Sequence, residues 1–413
     1  MIEPSLPIHD PELRHACAAN AQAQIAFFRA ALNNRGGFDL LDFSGRPIPG
    51  HPQELHLTTR MVHSYALAQA WGATNCQPII DAGMAALWHW HRDPAFGGYA
   101  WSVTPDGPQD RTKLAYGHVF VLLAASSALM VGHEDAARLL QDIEQVIDRH
   151  FWDDARGLLR EEYASDWSAI SHYRGMNANM HGVEAMLAAY EATGRDVFLD
   201  RAGRILSFFT EEIAPAFGWR IPEHYTADWS FDHDYEGDPM FRPAGTTPGH
   251  AVEFARLILQ HQALCGAADP DAVTRARALV ATALRDGWRA DGGLAYTVDS
   301  HGVVLRPERY WWPVTEAIGA IAALMKIAPQ PEDSAWFDRL WACAQAHFID
   351  HTWGGWFPEI DESGQPGSRQ FTGKPDIYHA LQAMLFPLCP GNARHLAALE
   401  HLHERPQALA PNP

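Results

Sequence analysis

Hydrophobic positions along this 413-residue chain fall into two alternating kinds of segment. In one kind they step by three and four, as in Phe198, Ala202, Ile205, Phe209 and Ile213 with charged residues between them. That spacing predicts a helix with one buried face. In the other kind they run on without a polar break, as in Ala317-Ile318-Gly319-Ala320-Ile321-Ala322-Ala323-Leu324-Met325. A helix apolar on every side is buried on every side. Between helix pairs a short aromatic-rich hairpin pattern recurs six times, starting at Gly36, Gly97, Gly157, Gly218, Gly292 and Gly354, with successive starts 61, 60, 61, 74 and 62 residues apart. A unit of that length cannot bury its own apolar faces, so the units must stack on one another. The expected architecture is one domain over residues 1–413, all-α, an (α/α)6 barrel of six inner and six outer helices with the short β-hairpins gathered at one end. The long interval between Gly218 and His250 reads as an insertion that closes over the barrel mouth. Residues 1–10 and 404–413, rich in Pro, read as projecting tails.

Polar residues break the apolar helices at matching places. Counted from each hairpin glycine, the first strongly polar residues are Arg60, His118, His181, His250, Glu316 and His379, at offsets of 24, 21, 24, 32, 24 and 25. A repeat puts equivalent positions at equivalent places, so these six side chains are expected to converge on one mouth of the barrel. One turn further on, His63, Glu184, Glu253 and Gln382 share the helix faces of Arg60, His181, His250 and His379. Thr247-Pro248-Gly249-His250 fits an N-cap Thr with Pro in the first helical position, and Asp376-Ile377-Tyr378-His379 gives the same count with Asp as the cap. A histidine in the first turn feels the positive end of the helix, which keeps the imidazole neutral and fit to act as a general base. Trp311 and Trp312 lie beside the mouth as a sugar-stacking platform or as core packing. Neutral histidines, carboxylates and one arginine suit proton abstraction beside a carbonyl, with donors such as Arg60 and His181 stabilising the enediolate oxygens.

Composition narrows the partners. Apolar residues make up 47% and there are fifteen Trp, ample for one large core. A formal charge of −19 argues against nucleic acid or an anionic membrane as partner. Five scattered cysteines without a Cys-x-x-Cys spacing read as free thiols in a reducing compartment, and with no apolar leader or spanning segment the expected location is cytoplasmic.

Gly245-Thr246-Thr247-Pro248-Gly249-His250-Ala251-Val252-Glu253, Asn177-Ala178-Asn179-Met180-His181-Gly182-Val183-Glu184, Thr59-Arg60-Met61-Val62-His63 and Gly373-Lys374-Pro375-Asp376-Ile377-Tyr378-His379 resemble segments of the N-acylglucosamine 2-epimerase superfamily. Within it they are most similar to the branch of D-mannose and sulfoquinovose aldose–ketose isomerases, and the similarity runs over almost the whole chain. The resemblance implies an (α/α)6 barrel and a metal-free, cofactor-free isomerisation of a monosaccharide through a cis-enediol. His250 and His379 would be the acid–base pair; Arg60, His181, Glu253, His118, Asn177, Trp312 and Glu316 would surround the sugar. Arg309-Tyr310-Trp311-Trp312 before Pro313 departs from the sulfosugar pattern and leans the reading towards a neutral hexose such as mannose, with lyxose beside it. Sulfoquinovose isomerisation, 2-epimerisation, a metal-dependent isomerase built on His181/Glu184 and His250/Glu253, a glycoside hydrolase and a non-catalytic sugar-binding protein stay open, as does a homodimer.

Overall fold

The computed structural model describes residues 7–406 apart from Glu236, Pro239, Met240, Ala267 and Ala268. Its helices are α1 (Pro11–Phe28), α2 (Leu55–Trp71), α3 (Gln77–Ala86), α4 (Ala115–Met130), α5 (Ala136–Val146), α6 (Met176–Thr193), α7 (Asp196–Ser207), the short turn α8 (Ala214–Ala216), α9 (Pro248–Cys265), α10 (Pro270–Gly287), α11 (Trp311–Ile327), α12 (Pro331–Cys343), α13 (Tyr378–Leu385) and α14 (His395–Leu399). The apolar segments form the inner ring: α2 packs on α4, α4 on α6, α6 on α9, α9 on α11, α11 on α13, and α13 returns to α2. Each inner helix carries one outer partner, α3, α5, α7, α10, α12 and α1 in turn. This is the (α/α)6 barrel that the two kinds of segment predict. In α11 every residue from Pro313 to Met325 is buried, as its unbroken apolar run requires.

All six hairpin glycines hold left-handed φ angles, from 62° at Gly218 to 98° at Gly292, where a Cβ would be strained. The hairpins are also tied by buried cations. Lys113 Nζ donates to the Gly97 carbonyl and lies 3.2 Å from Asp93; Lys374 Nζ donates to the Gly354 carbonyl and to Asp350 at 2.7 Å. Arg309 does the same for Gly292, so this arginine is spent on hairpin carbonyls. Inner helices α2, α4, α6 and α11 start directly from the ends of short strands, Gln53–Glu54, Lys113–Leu114, Arg174–Gly175 and Val304–Tyr310. Strand register therefore fixes which residue of each helix lies at the mouth.

Two expectations need correction. The stripe Phe198, Ala202, Ile205, Phe209 is buried, but Ile213 is only half-buried. A π-helical turn over Phe208–Ile213 inserts an extra residue and rotates Ile213 off the stripe. Similar turns close α3, α5 and α12 at the hairpin entrances. Nor does the C-terminal segment project throughout: Arg14 pairs with Glu404 at 2.6 Å, and Arg405 Nη1 donates to the Trp71 carbonyl at 2.8 Å. Residues 1–6 and 407–413 of the expected tails lie outside the described residues.

Candidate active site

Four of the six aligned residues, Arg60, His181, His250 and His379, line one cavity of about 170 Å³ at the hairpin end of the barrel. Asn177, Glu253, Trp311 and Trp312 line it too. A second cavity of about 370 Å³ adjoins it beneath the unit-four insertion, sharing Tyr116, Asn177 and Phe241.

The two histidines of the expected acid–base pair are oriented in the same way by different elements. His250 Nδ1 meets Glu223 at 2.9 and 3.1 Å, and His379 Nδ1 meets Glu316 Oε1 at 2.8 Å. A carboxylate at Nδ1 fixes the tautomer with the proton on that nitrogen and leaves the Nε2 lone pair for chemistry. Glu223 is buried and also accepts from the Thr247 backbone N–H at 3.1 Å, so it clamps the start of α9 as well as the ring. Thr247 is the N-cap with Pro248 following, as expected, yet its hydroxyl makes no capping bond; Glu223 instead accepts from the cap residue's own N–H. Ile377, not Asp376, stands at the cap of α13. Asp376 still serves that helix, since its Oδ1 accepts from Tyr378 N at 3.1 Å while Oδ2 takes Arg60 Nη1 at 2.7 Å.

Trp312 stacks on the His250 ring, with centroids 4.9 Å apart and planes at 29°, so it braces the histidine as well as walling the cavity. Trp311 is buried edge-on against Phe371. Arg60 Nη2 donates to Tyr116 at 2.9 Å and its guanidinium lies over the Phe120 and Tyr378 rings. Asn177 Oδ1 is buried without a hydrogen-bond partner among the described residues. Burial pulls His181 down to about 4, against Glu184 beside it, so the ring is neutral near pH 7.

Two expected sugar contacts fall elsewhere. His118 does not line the cavity: its Nε2 accepts from Tyr99 N at 3.0 Å, its Nδ1 bonds the Leu114 carbonyl at 2.7 Å, and its ring packs on Phe151. Both nitrogens are used inside its own unit, and its shorter offset of 21 fits that separate role. Glu316 lies behind His379 rather than on the cavity wall, shared between that histidine and Arg256 Nε at 3.2 Å.

Sequence reasoning missed three groups. Glu223 lies inside the insertion that breaks the period, so no offset could reveal it. Arg256 was detectable: it follows Glu253 by three on the face of α9 that His250 begins, and it joins Glu184, Glu253 and Glu316 at 3.4, 3.9 and 3.2 Å. Tyr378, beside His379, donates to Glu184. His181, Glu184 and Glu253, and likewise Glu253, Glu316 and His379, bring ligand atoms within 4.8 Å of one another. The Arg256 guanidinium already supplies a fixed positive charge to the carboxylates of both groups.

Comparison with known proteins bears on the chemistry. Residues 36–383 match the family profile of N-acylglucosamine 2-epimerase (GlcNAc 2-epimerase). A D-mannose isomerase of Thermobifida fusca is 38% identical over 379 residues, covering 90% of this chain and 93% of that protein. A D-mannose isomerase of Pseudomonas cannabina pv. alisalensis is 39% identical over 373 residues, covering 88% and 90%. A crystal structure of a D-mannose isomerase superposes with a TM-score of 0.84 at 30% identity, covering 90% of this chain and 97% of that one.

Proposed function

The chain belongs to the N-acylglucosamine 2-epimerase family, and from that premise we propose that it is an aldose–ketose isomerase interconverting D-mannose and D-fructose, with His250 and His379 as its acid–base pair. The observation that carries the assignment of residues is the matched pair of histidines on one cavity, each with Nδ1 held by a buried glutamate. One histidine assists ring opening. A histidine Nε2 then removes the C2 proton of the open-chain aldose while O1 gains a proton, giving the cis-enediol. Returning a proton to C1 while the O2 hydroxyl gives up its own yields the ketose, with no net gain or loss of protons. Arg60, His181, Asn177 and Glu253 hold the sugar and polarise its oxygens. Positioned acid–base groups of this kind contribute about 10²–10⁴ each.

The reading is metal-free: the positive charge among the buried carboxylates comes from Arg256. It is also a reading of one catalytic domain, supported by an apolar cluster that runs from Ile8 to Leu402. Among the described residues no helix is long and apolar enough to cross a membrane. All five cysteines are free, which supports a reducing compartment such as the cytoplasm. The insertion reaches the cavity through Phe241, beside Arg242 paired with Glu162 at 2.7 Å. In this reading it closes over bound sugar; equal protease sensitivity with and without saturating mannose counts against that closure.

Proton NMR of D-mannose with the protein in D2O containing EDTA tests the whole assignment. Fructose, carrying deuterium at C1 in any exchanged fraction, is the expected product. Glucose would point to 2-epimerisation, and turnover of sulfoquinovose alone in a parallel tube would move the substrate to the sulfosugars.

A further inference from the structure

Three buried carboxylates face one another beside the cavity, Glu184 from α6, Glu253 from α9 and Glu316 from α11. Carboxylate oxygens of Glu184 and Glu316 each lie within 4.8 Å of one on Glu253. Their hydrogen bonding is unequal. Glu184 accepts from Tyr378, from Gln382 Nε2 at 3.1 Å and from Arg256 Nη2 at 3.4 Å. Glu316 accepts from Arg256 Nε at 3.2 Å and pairs with His379. Glu253 is fully buried, and neither of its oxygens has a hydrogen-bond partner among the described residues. Its nearest cationic or ring nitrogens are His181 Nδ1 at 3.4 Å and Arg256 Nη2 at 3.9 Å.

One guanidinium cannot balance three ionised carboxylates packed this closely away from water, so the cluster takes up a proton. Placing it on Glu184 or Glu316 would weaken several hydrogen bonds; placing it on Glu253 weakens none. We propose that Glu253 stands as a neutral carboxylic acid in the resting site and presents its O–H to a sugar hydroxyl. It is then a hydrogen-bond donor to the sugar, where an ionised carboxylate could only accept. This deepens the sugar-binding role given to Glu253 above and rests on it.

Burial, and then Glu316 and Glu184, hold the Glu253 carboxyl well above the usual carboxylate range. The groups facing it from the packed elements are Arg60 on α2, Tyr116 on α4, His181 and Glu184 on α6, Arg256 on α9, Glu316 on α11, and Tyr378 and His379 on α13. Of the two arginines, Arg60 is paired with Asp376 and Arg256 is shared by the other two glutamates. A carboxylic acid also both donates and accepts, which matches a pair of neighbouring sugar hydroxyls.

The charge on Glu253 is measurable without turnover. Glu253→Gln removes no charge from a neutral acid, whereas Glu362→Gln, at an exposed turn, removes one. In native capillary electrophoresis near neutral pH, Glu253→Gln is expected to migrate with the wild type while Glu362→Gln shifts by one charge. A one-charge shift for Glu253→Gln overturns the proposal, and does so whether or not the protein isomerises mannose. Difference infrared spectra of wild type minus Glu253→Gln are expected to show a protonated-carboxyl C=O stretch that moves in D2O; its absence is equally decisive. Should Glu253→Gln not fold, Glu253→Asp moves the same band and serves in its place. For the donor role, KM for mannose is expected to rise less in Glu253→Gln than in Glu253→Ala, by about tenfold. An equal rise removes that role.

Discussion

Replacing Glu223 by Gln removes the charge behind His250 while keeping the shape of the side chain. Glu223 is 4% exposed and contacts His250 Nδ1 through both oxygens. Two separate losses follow. The imidazolium that forms when His250 takes a proton loses a counter-charge about 4 Å away, roughly 4 kcal/mol at an effective dielectric of about 20. The new amide can also donate to Nδ1, which drives the ring proton to Nε2 and leaves no lone pair facing the sugar; the same change of tautomer in a serine-protease triad costs about 10⁴. We expect kcat for mannose to fall by about 10³ or more, with a much smaller change in KM, because the interaction strengthens only as charge develops. The backbone bond from Thr247 can survive on the amide oxygen, so the melting temperature is expected to move little. The assay is steady-state conversion of mannose to fructose, with circular dichroism to confirm the fold. A kcat within threefold of the wild type, on a folded protein, would refute the role given to Glu223.

Four further outcomes are expected. Replacing His379 with Asn should lower kcat by at least about 10² while leaving sugar binding measurable by calorimetry; retained turnover would remove it from the acid–base pair. Arg60→Lys keeps the charge but loses the fork that reaches Asp376 and Tyr116, and kcat/KM should drop about 10- to 150-fold for about 1.5–3 kcal/mol of lost charged hydrogen bonding. Glu161, buried beside the second cavity, is pushed up from 4.5 to about 7 by burial, against the pull of Arg242. Its folded pKa is the higher one, so its favourable contribution is complete below 4.5 and is lost as pH rises to about 7. Glu161→Gln should therefore flatten that decline, up to about 3 kcal/mol, in urea melts across the interval. Exhaustive chelation should leave turnover unchanged, and loss restored by one divalent metal would overturn the metal-free reading.

The architecture was legible because it is written in a period. Each hairpin glycine occupies a left-handed position, so the residue type itself records the backbone geometry. The all-round apolar run of α11 and the stripe of α7 separated inner from outer helices before any contact was known. What the period could not carry was a local change of helix type. Nothing between Phe208 and Ile213 advertises a π-turn, because that turn is imposed by docking the outer helix onto its hairpin, and it moved Ile213 off the stripe.

The site shows where equivalence by repeat stops being equivalence of role. Arg60, His118, His181, His250, Glu316 and His379 occupy matching positions, yet His118 and Glu316 leave the cavity wall. Their partners explain the division. The Tyr99 N–H and the Leu114 carbonyl take both nitrogens of His118 within its own unit, so nothing remains for a ligand. Glu316 is drawn sideways by Arg256, a residue two turns deeper than the aligned set, and thereby becomes the carboxylate that orients His379. The matching carboxylate for His250 comes from no aligned position at all. Glu223 lies in the insertion, the one stretch where the offset grows to 32. The broken period therefore shapes the cavity: extra chain after Gly218 brings Glu223 to Nδ1 of His250, making two histidines from different units alike.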